Sequence, residues 1–390
     1  MKLLPKVINK TGFGIIGLIV FFTGCSGPQV ESPADLSPFM QQTVKSNQVP
    51  GISYIAVSAK KTLTAKSAGW ADVESAKPLS QDTVLMAYSM SKTFTAIAAL
   101  QLAERGKLDL DAPATQYLPD LPYPNSLKIR HLLAQTSGLP NPIPLRWVHL
   151  PSEESQFDER AEFQSVIEEN SELDFAPGEK YAYSNISYWL LGRIIETVAG
   201  QPFALVMQQN LFAPLGLSPR EIGYRFQDNQ PVAKGYLARF SMMNAIIGFL
   251  VDKKFLGEKE GQWRHIRPHY LNSPAFGGLI ATPRAIGIVL QDLLQQNSVL
   301  LGTKGKQWLF EEQQDNQGKP VAMTLGFHIG RRKNGKRFYF KEGGGAGFHC
   351  EMRLYPDQGM GSVVMSNGTR FDVKGFLDAA DSGQLTVVYP

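Results

Sequence analysis

The spacing of apolar and polar positions changes character along the chain, and each change marks an element. Ile52–Ser58 and Thr62–Gly69 are short β-prone runs on either side of Lys60-Lys61, which predicts a hairpin. Ser89 to Arg105 runs without Pro or Gly and predicts a helix that Gly106 stops. Its apolar residues (Phe94, Ile97, Ala98, Ala99, Leu100, Leu102) cover most of its circumference, so burial on all sides is expected. From Pro113 to about Pro268 the pattern becomes helical pieces separated by Pro-rich turns: Ile129–Ala134, Glu159–Asn170, Asn185–Ala199 and Pro202–Leu211. Leu271 to Gln296 carries a Gly-Gly turn and a further helix.

The last third of the chain predicts four consecutive antiparallel strands. Thr324–Arg331 and Lys336–Phe340 flank Asn334-Gly335, read as a type I′ hairpin turn. Phe348–Tyr355 and Gly361–Ser366 flank Pro356-Asp357-Gln358-Gly359, a second turn signal. The expected fold is therefore α/β in the α+β sense. An antiparallel sheet flanked by helices draws strands from residues 38–112 and 269–390, with a mostly helical domain, residues 113–268, inserted between them.

Composition narrows the classes without choosing among them. With 43% hydrophobic and 19% charged residues, the bulk of the chain can bury a core and is not disordered. The net charge of +4 includes Lys2, Lys6 and Lys10, and the first 24 residues hold no Asp or Glu, so the remainder is near +1. The cluster Arg331, Arg332, Lys333, Lys336 and Arg337 sits around one turn and reads as a solvated hairpin tip, not a nucleic-acid surface.

The first segment reads as an address. A basic start, an apolar stretch from Phe13 to Phe22 and the small pair Thr23-Gly24 precede Cys25. The stretch is shorter than the ~20 residues a spanning helix needs. Residues 1–24 are expected to be an export signal of lipoprotein type, with Cys25 as the lipidated residue, although Phe22 departs from the Leu usual in such a signal. Residues 25–37, rich in Ser, Pro and Gly, read as a tether. The expectation is an exported protein held to a membrane by a lipid, facing the periplasm or the cell exterior. Cys350 is then the only other cysteine, and no intrachain disulfide can form.

Three short motifs carry candidate chemistry. Ser89-Met90-Ser91-Lys92 opens the buried helix, where residues three apart share a face, so Lys92 can reach the Ser89 hydroxyl. A serine needs an adjacent base to become a nucleophile, and a desolvated lysine can be that base. Tyr183-Ser184-Asn185 supplies a phenol that can move protons and an amide that can hold a substrate. Lys341-Glu342-Gly343-Gly344-Gly345 ends a strand with a positive charge and glycines that let a substrate approach the strand edge. Taken singly each motif is weak, since a helix cap, an aromatic packing residue and a glycine turn would look the same.

Together, in this order, they resemble the serine β-lactamase and penicillin-binding-protein superfamily, and within it the class C-like serine hydrolases. The resemblance runs from Val49-Pro50-Gly51 to about Asn367, within residues 38–370. It includes Ile129-Arg130-His131-Leu132-Leu133 with Thr136-Ser137-Gly138-Leu139, and Gly277-Gly278-Leu279-Ile280-Ala281-Thr282-Pro283. It implies that Ser89 is the acylated nucleophile and Lys92 its base. Tyr183 shares the proton transfers, Asn185 orients the substrate, and Lys341 tunes the site and faces a substrate carboxylate. Backbone N–H groups of Ser89 and Gly344, beside Gly343, form the oxyanion hole, each donor worth about 3–4 kcal/mol in the transition state. Glu342 departs from the family, which usually has a hydroxyl residue there. Strand alternation points it away from Lys341, and a carboxylate in the site would repel an acidic substrate.

The expected function is a serine hydrolase working through an acyl-enzyme on a peptide or small molecule: D-amino-acid peptides or amides first, then esters, then β-lactams. The alternative is a non-hydrolytic penicillin-binding or wall-fragment sensor with the same fold. No cofactor is expected, because Ser, Lys and Tyr supply the proton transfers. No metal is expected either: His265 and His269 lack an acidic residue between them and Pro268 disfavours a regular helix there. Phe240 to Val251 is an apolar run too short to span a bilayer, expected to pack in the core, with a lid or a membrane contact as the sharper idea.

Overall fold

The computed structural model of the chain describes residues 36–46, 48–142, 146–238 and 252–388. The expected export signal, Cys25 and the apolar run 240–251 lie outside the described residues. The tether expected to reach Ser37 has already become helix by Leu36: α1, Leu36–Lys45, turns Leu36, Met40 and Thr43 inward at helical spacing.

The centre is a seven-stranded sheet. Its strands are β1 (Gly51–Ser58), β2 (Thr62–Asp72), β3 (Lys77–Pro78), β4 (His328–Arg331), β5 (Arg337–Gly345), β6 (Phe348–Tyr355) and β7 (Met360–Ser366). Their order across the sheet is β4-β5-β6-β7-β1-β2-β3. Every neighbouring pair is antiparallel, and the join between the two ends of the chain is β1 on β7, from Ile52↔Ser366 to Ser58↔Met360.

The alternation along β1 explains the layers. Ile55 and Val57 face one core, and Ile52, Tyr54 and Ala56 face the other. The larger core includes Phe94 and Ile97 of α2 (Ser91–Glu104), Leu190 and Leu191 of α3 (Asn185–Ala199), and Ile286 and Leu290 of α4 (Pro283–Leu294). The smaller core lies under α1 and α5 (Val373–Val388), with Met40 and Phe376 against Tyr54. There Asp381 of α5 accepts hydrogen bonds from Tyr54 (2.8 Å), Tyr355 (2.7 Å) and Ser362 (2.8 Å), which pins the helix to the sheet.

Two local expectations change. The Asn334-Gly335 turn is not type I′, because only Gly335 has positive φ (+80°). The Gly335 N–H reaches the Arg332 carbonyl at 2.9 Å and the Arg332 N–H reaches Lys336 at 2.9 Å, so the loop has three residues and the glycine fills its left-handed last position. The strand expected over Thr324–Arg331 pairs only from His328, since Thr324 and Phe327 close a tight turn on each other (2.8 Å) before it.

Residues 113–268 hold helices Ile129–Leu133, Glu159–Glu169, α3 and Phe203–Met207, and also a small sheet that the pattern did not predict. It pairs Gly235–Ala238 with Trp263–Ile266 and the latter with Leu256–Glu260. Its buried Glu260 accepts from the Tyr236 hydroxyl (2.6 Å) and from Lys234 (2.9 Å).

Candidate active site

Ser89 stands at the middle of a 3-10 turn, Tyr88–Met90, that runs straight into α2. The turn is held from outside. Ala87 N–H donates to Leu279 O at 2.8 Å, and Met90 N–H donates back to Ala87 O at 3.1 Å. The Ser91 hydroxyl donates to Tyr88 O at 2.5 Å and accepts from Leu279 N–H at 3.0 Å. Every residue of α2 from Ser91 to Leu102 is buried, as the all-round apolar pattern required.

Lys92 therefore points its amine into the protein, with 0% of the residue exposed. Its Nζ lies 2.8 Å from Asn185 Oδ1, 2.7 Å from Phe276 O and 3.2 Å from Ser89 Oγ. No carboxylate is among these partners. Burial, reinforced by the like charge of Lys341, holds its pKa well below the ordinary lysine value. A neutral amine has two N–H groups and one lone pair. All three oxygens can accept from the amine, and on loss of one proton the two that can only accept, Asn185 Oδ1 and Phe276 O, keep its N–H groups while the lone pair turns to the Ser89 hydroxyl.

Tyr183 donates its hydroxyl to Ser89 Oγ at 2.7 Å. Burial raises its pKa, so the phenol stays protonated as that donor. Its ring lies between two amines, 4.8 Å from Lys92 Nζ and 4.9 Å from Lys341 Nζ. Burial brings Lys341 down to about 7. Beside them the Tyr181 hydroxyl lies 3.1 Å from His328 Nε2, and burial together with both lysine charges keeps that imidazole well below its usual pKa.

The loop carrying Tyr183 and Asn185 is set by Gln135, which has φ of +59°. Its side-chain oxygen accepts from Ser184 N–H (2.6 Å), its amide donates to Ser184 O (3.2 Å), and its own carbonyl accepts from Ala182 N–H (2.9 Å). Ser184, not Asn185, caps α3, and this leaves the Asn185 side chain to Lys92. The Asn185 N–H donates to Asn141 Oδ1 at 3.0 Å.

Strand β5 closes the other side. A Cβ at Gly343 would lie 2.1 Å from Ala87 O and 3.0 Å from Met90 N, so only glycine lets this strand touch the serine turn. Pairing with β4 stops at His328↔Phe340, and among the described residues Lys341 to Gly345 have no strand on that outer side. Gly344 sits opposite His349 on β6. Glu342 turns to the face away from Lys341 and bonds His349 Nε2 at 2.6 Å, with half its side chain exposed.

Ser89, Lys92, Tyr183 and Asn185 thus meet through hydrogen bonds, Lys341 joins through the Tyr183 ring, and Gly343 packs on the serine turn. No sequence signal pointed to the contributions of Phe276 O, Asn141 or Gln135. The first is a backbone carbonyl that any residue could supply, and the others act across loops. Among the described residues no group of three His, Cys, Asp or Glu side chains could hold a metal.

A family model described as Beta-lactamase matches residues 36–383. Protein flp of Staphylococcus aureus (strain MRSA252) is 28% identical over 221 residues, covering 52% of this chain and 43% of its own. Esterase EstB of Burkholderia gladioli is 29% identical over 224 residues, covering 51% of this chain and 55% of its own. The chain thus spans about half the length of these curated relatives. Among solved structures, the octameric penicillin-binding protein homologue from Pyrococcus abyssi superposes with a TM-score of 0.73 at 21% identity, covering 90% of this chain and 76% of that one. The D-amino acid amidase from Ochrobactrum anthropi SV3 with D-phenylalanine gives 0.72 at 21%, covering 91% and 98%. These structural likenesses speak for the fold. The family match extends over nearly all of the described chain, and the protein belongs to the Beta-lactamase family.

Proposed function

We propose that the protein is a serine hydrolase that cleaves amide or ester bonds through an acyl-Ser89 intermediate. The observation that carries this is the meeting of Lys92 Nζ (3.2 Å) and the Tyr183 hydroxyl (2.7 Å) at Ser89 Oγ, with no carboxylate bonded to the amine. Ser89 Oγ attacks the substrate carbonyl carbon and its proton passes to Lys92. The oxyanion is met by the N–H groups of Ser89 and Gly344. Tyr183, 2.7 Å from Ser89 Oγ, hands a proton to the leaving nitrogen or oxygen and is recharged by Lys92. Water then attacks the acyl carbon, gives its proton to the same pair, and Ser89 leaves with its hydrogen restored.

For the substrate we favour the amide or ester of a D-amino acid, then other small esters, with β-lactams last. A Lys341 titrating near 7 offers only part of a positive charge to a substrate carboxylate at neutral pH. Glu342 is bound to His349 on the opposite face of the strand and leaves that charge balance to Lys341. An esterase among the relatives and a D-amino acid amidase of the same fold support amide and ester substrates in general. Export and lipidation at Cys25 belong to the same proposal and rest on the sequence of residues 1–25 alone.

The test is turnover by fractionated bacteria expressing the full chain, with D-phenylalanine amide, p-nitrophenyl acetate and a chromogenic cephalosporin. Activity on the first two should sit in the membrane fraction, vanish in Ser89→Ala, and move to the soluble fraction in Cys25→Ser. Hydrolysis that survives Ser89→Ala would sink the catalytic reading, and activity unmoved by Cys25→Ser would sink the anchor.

A further inference from the structure

Tyr88 and His269 have no role in the chemistry above, yet both are buried beside the nucleophile. Tyr88 directly precedes Ser89 and has φ of +43°, a conformation costly for a bulky side chain that persists only where its surroundings enforce it. Those surroundings are specific. The Tyr88 hydroxyl donates to Ala346 O at 2.7 Å, in the turn that joins β5 to β6. The same oxygen lies 3.2 Å from His269 Nε2. His269 Nδ1 donates to Arg267 O at 3.0 Å, so its Nε2 is an acceptor, and the one phenol proton goes to the nearer oxygen, Ala346 O. The ring lies flat against Gly345, where a Cβ would come within 2.5 Å of its carbons. The Tyr88 carbonyl is fixed as well, by the Ser91 hydroxyl at 2.5 Å.

One side chain therefore joins three separate stretches of chain: the serine turn, the tip of the β5–β6 hairpin, and the segment just before Tyr270. The hairpin carries Lys341, Gly343 and Gly344. We infer that Tyr88 is a positioning residue whose hydroxyl, donated to Ala346 O, clamps the serine turn to strand β5 and so sets Ser89 Oγ against the oxyanion donors. The inference rests on Ser89 being the nucleophile. Its effect belongs to the acylation transition state, because the clamp governs the relation between the attacking oxygen and the strand, and neither clamp residue is a partner of Lys92 or Tyr183.

The test uses Tyr88→Phe, which keeps the ring against Gly345 and removes only the hydroxyl, with His269→Leu, His269→Gln and the Tyr88→Phe/His269→Leu double variant. Steady-state kinetics on p-nitrophenyl acetate and the rate of labelling by a fluorophosphonate are read, with thermal unfolding as the check on folding. Tyr88→Phe should lower kcat by about 10- to 100-fold, the scale of a displacement of about 1 Å at a reacting centre, with KM within about two-fold. The labelling rate should fall in step. His269→Leu and His269→Gln should each lower kcat less than Tyr88→Phe does, because Ala346 O still accepts the phenol proton, and the double variant should be no slower than Tyr88→Phe alone. A Tyr88→Phe protein with wild-type kcat, or one altered in KM alone, overturns the clamp while an inactive Ser89→Ala leaves the nucleophile standing. A wild-type rate in Ser89→Ala would remove both.

Discussion

A lysine amine with no exposed surface must either bring a counter-ion or give up its charge, and the bonded partners of Lys92 are two neutral oxygens and a hydroxyl. Its pKa is lowered first by burial and then by Lys341. The base form exists above that lowered value, so kcat/KM should rise with pH through it and fall away on the acid side. Lys341→Met removes the repelling charge, Lys92 then holds its proton to higher pH, and the acid limb of kcat/KM should move up. A pH profile of wild type and variant checks this. A limb that moves down contradicts the account, and a limb that vanishes would make Lys341, titrating near 7, the base. At this scale residue type and spacing singled out Ser89, Lys92, Tyr183, Asn185 and Lys341, and the structure brings these five side chains together. The sequence was silent where a backbone or a distant loop does the work. Phe276 O could belong to any residue, and nothing in the sequence brings Gln135 or Asn141 near Ser184 and Asn185, which lie more than forty positions away.

The active cleft is the meeting of one turn, one loop and one strand edge, and each is placed by a local rule. The serine turn is braced by Leu279 on one side and by β5 on the other. The strand comes that close because Gly343 has no side chain. Gly343→Ala puts a carbon 2.1 Å from a backbone carbonyl that cannot swing away, so strand and turn must separate. We expect kcat/KM to fall by about 100-fold or more, out of proportion to a stability loss of about 1–3 kcal/mol. Kinetics beside a denaturant titration would show it, and a variant that loses stability but keeps its rate would contradict the placement. Elements written as long apolar runs between turn signals were readable from sequence, among them β1, α2 and β6. The small sheet of residues 235–238, 256–260 and 263–266 was not. Its strands are short, and Lys259, Glu260, Arg264 and His265 hide the alternation, because the face that carries Glu260 is held by hydrogen bonds from Tyr236 and Lys234 rather than by apolar packing.

Over the whole molecule the sheet is closed by pairing the two ends of the chain, β1 against β7. Hairpin signals at both ends made the two halves of that sheet visible in sequence, and the motif order supplied the reason to join them. The register could not be read, because it is set by side chains far apart in the chain. Tyr54 near the start and Asp381 near the end share a hydrogen bond across the smaller core, and Tyr355 and Ser362 complete it. This closure brings Lys341 from one end of the chain to Ser89 near the other, with Tyr183 entering from between. The central claim is that the assembly makes Ser89 a nucleophile. The most direct measurement is intact mass of the purified full chain over time with a fluorophosphonate and with a fluorescent penicillin, beside Ser89→Ala. Wild type should take a single phosphonyl adduct, absent from Ser89→Ala, and a slower acyl adduct with the penicillin that decays as it is hydrolysed. A penicillin adduct that never decays would make the protein a sensor, and a folded wild type that takes neither label, or a Ser89→Ala protein that still does, would contradict the central claim.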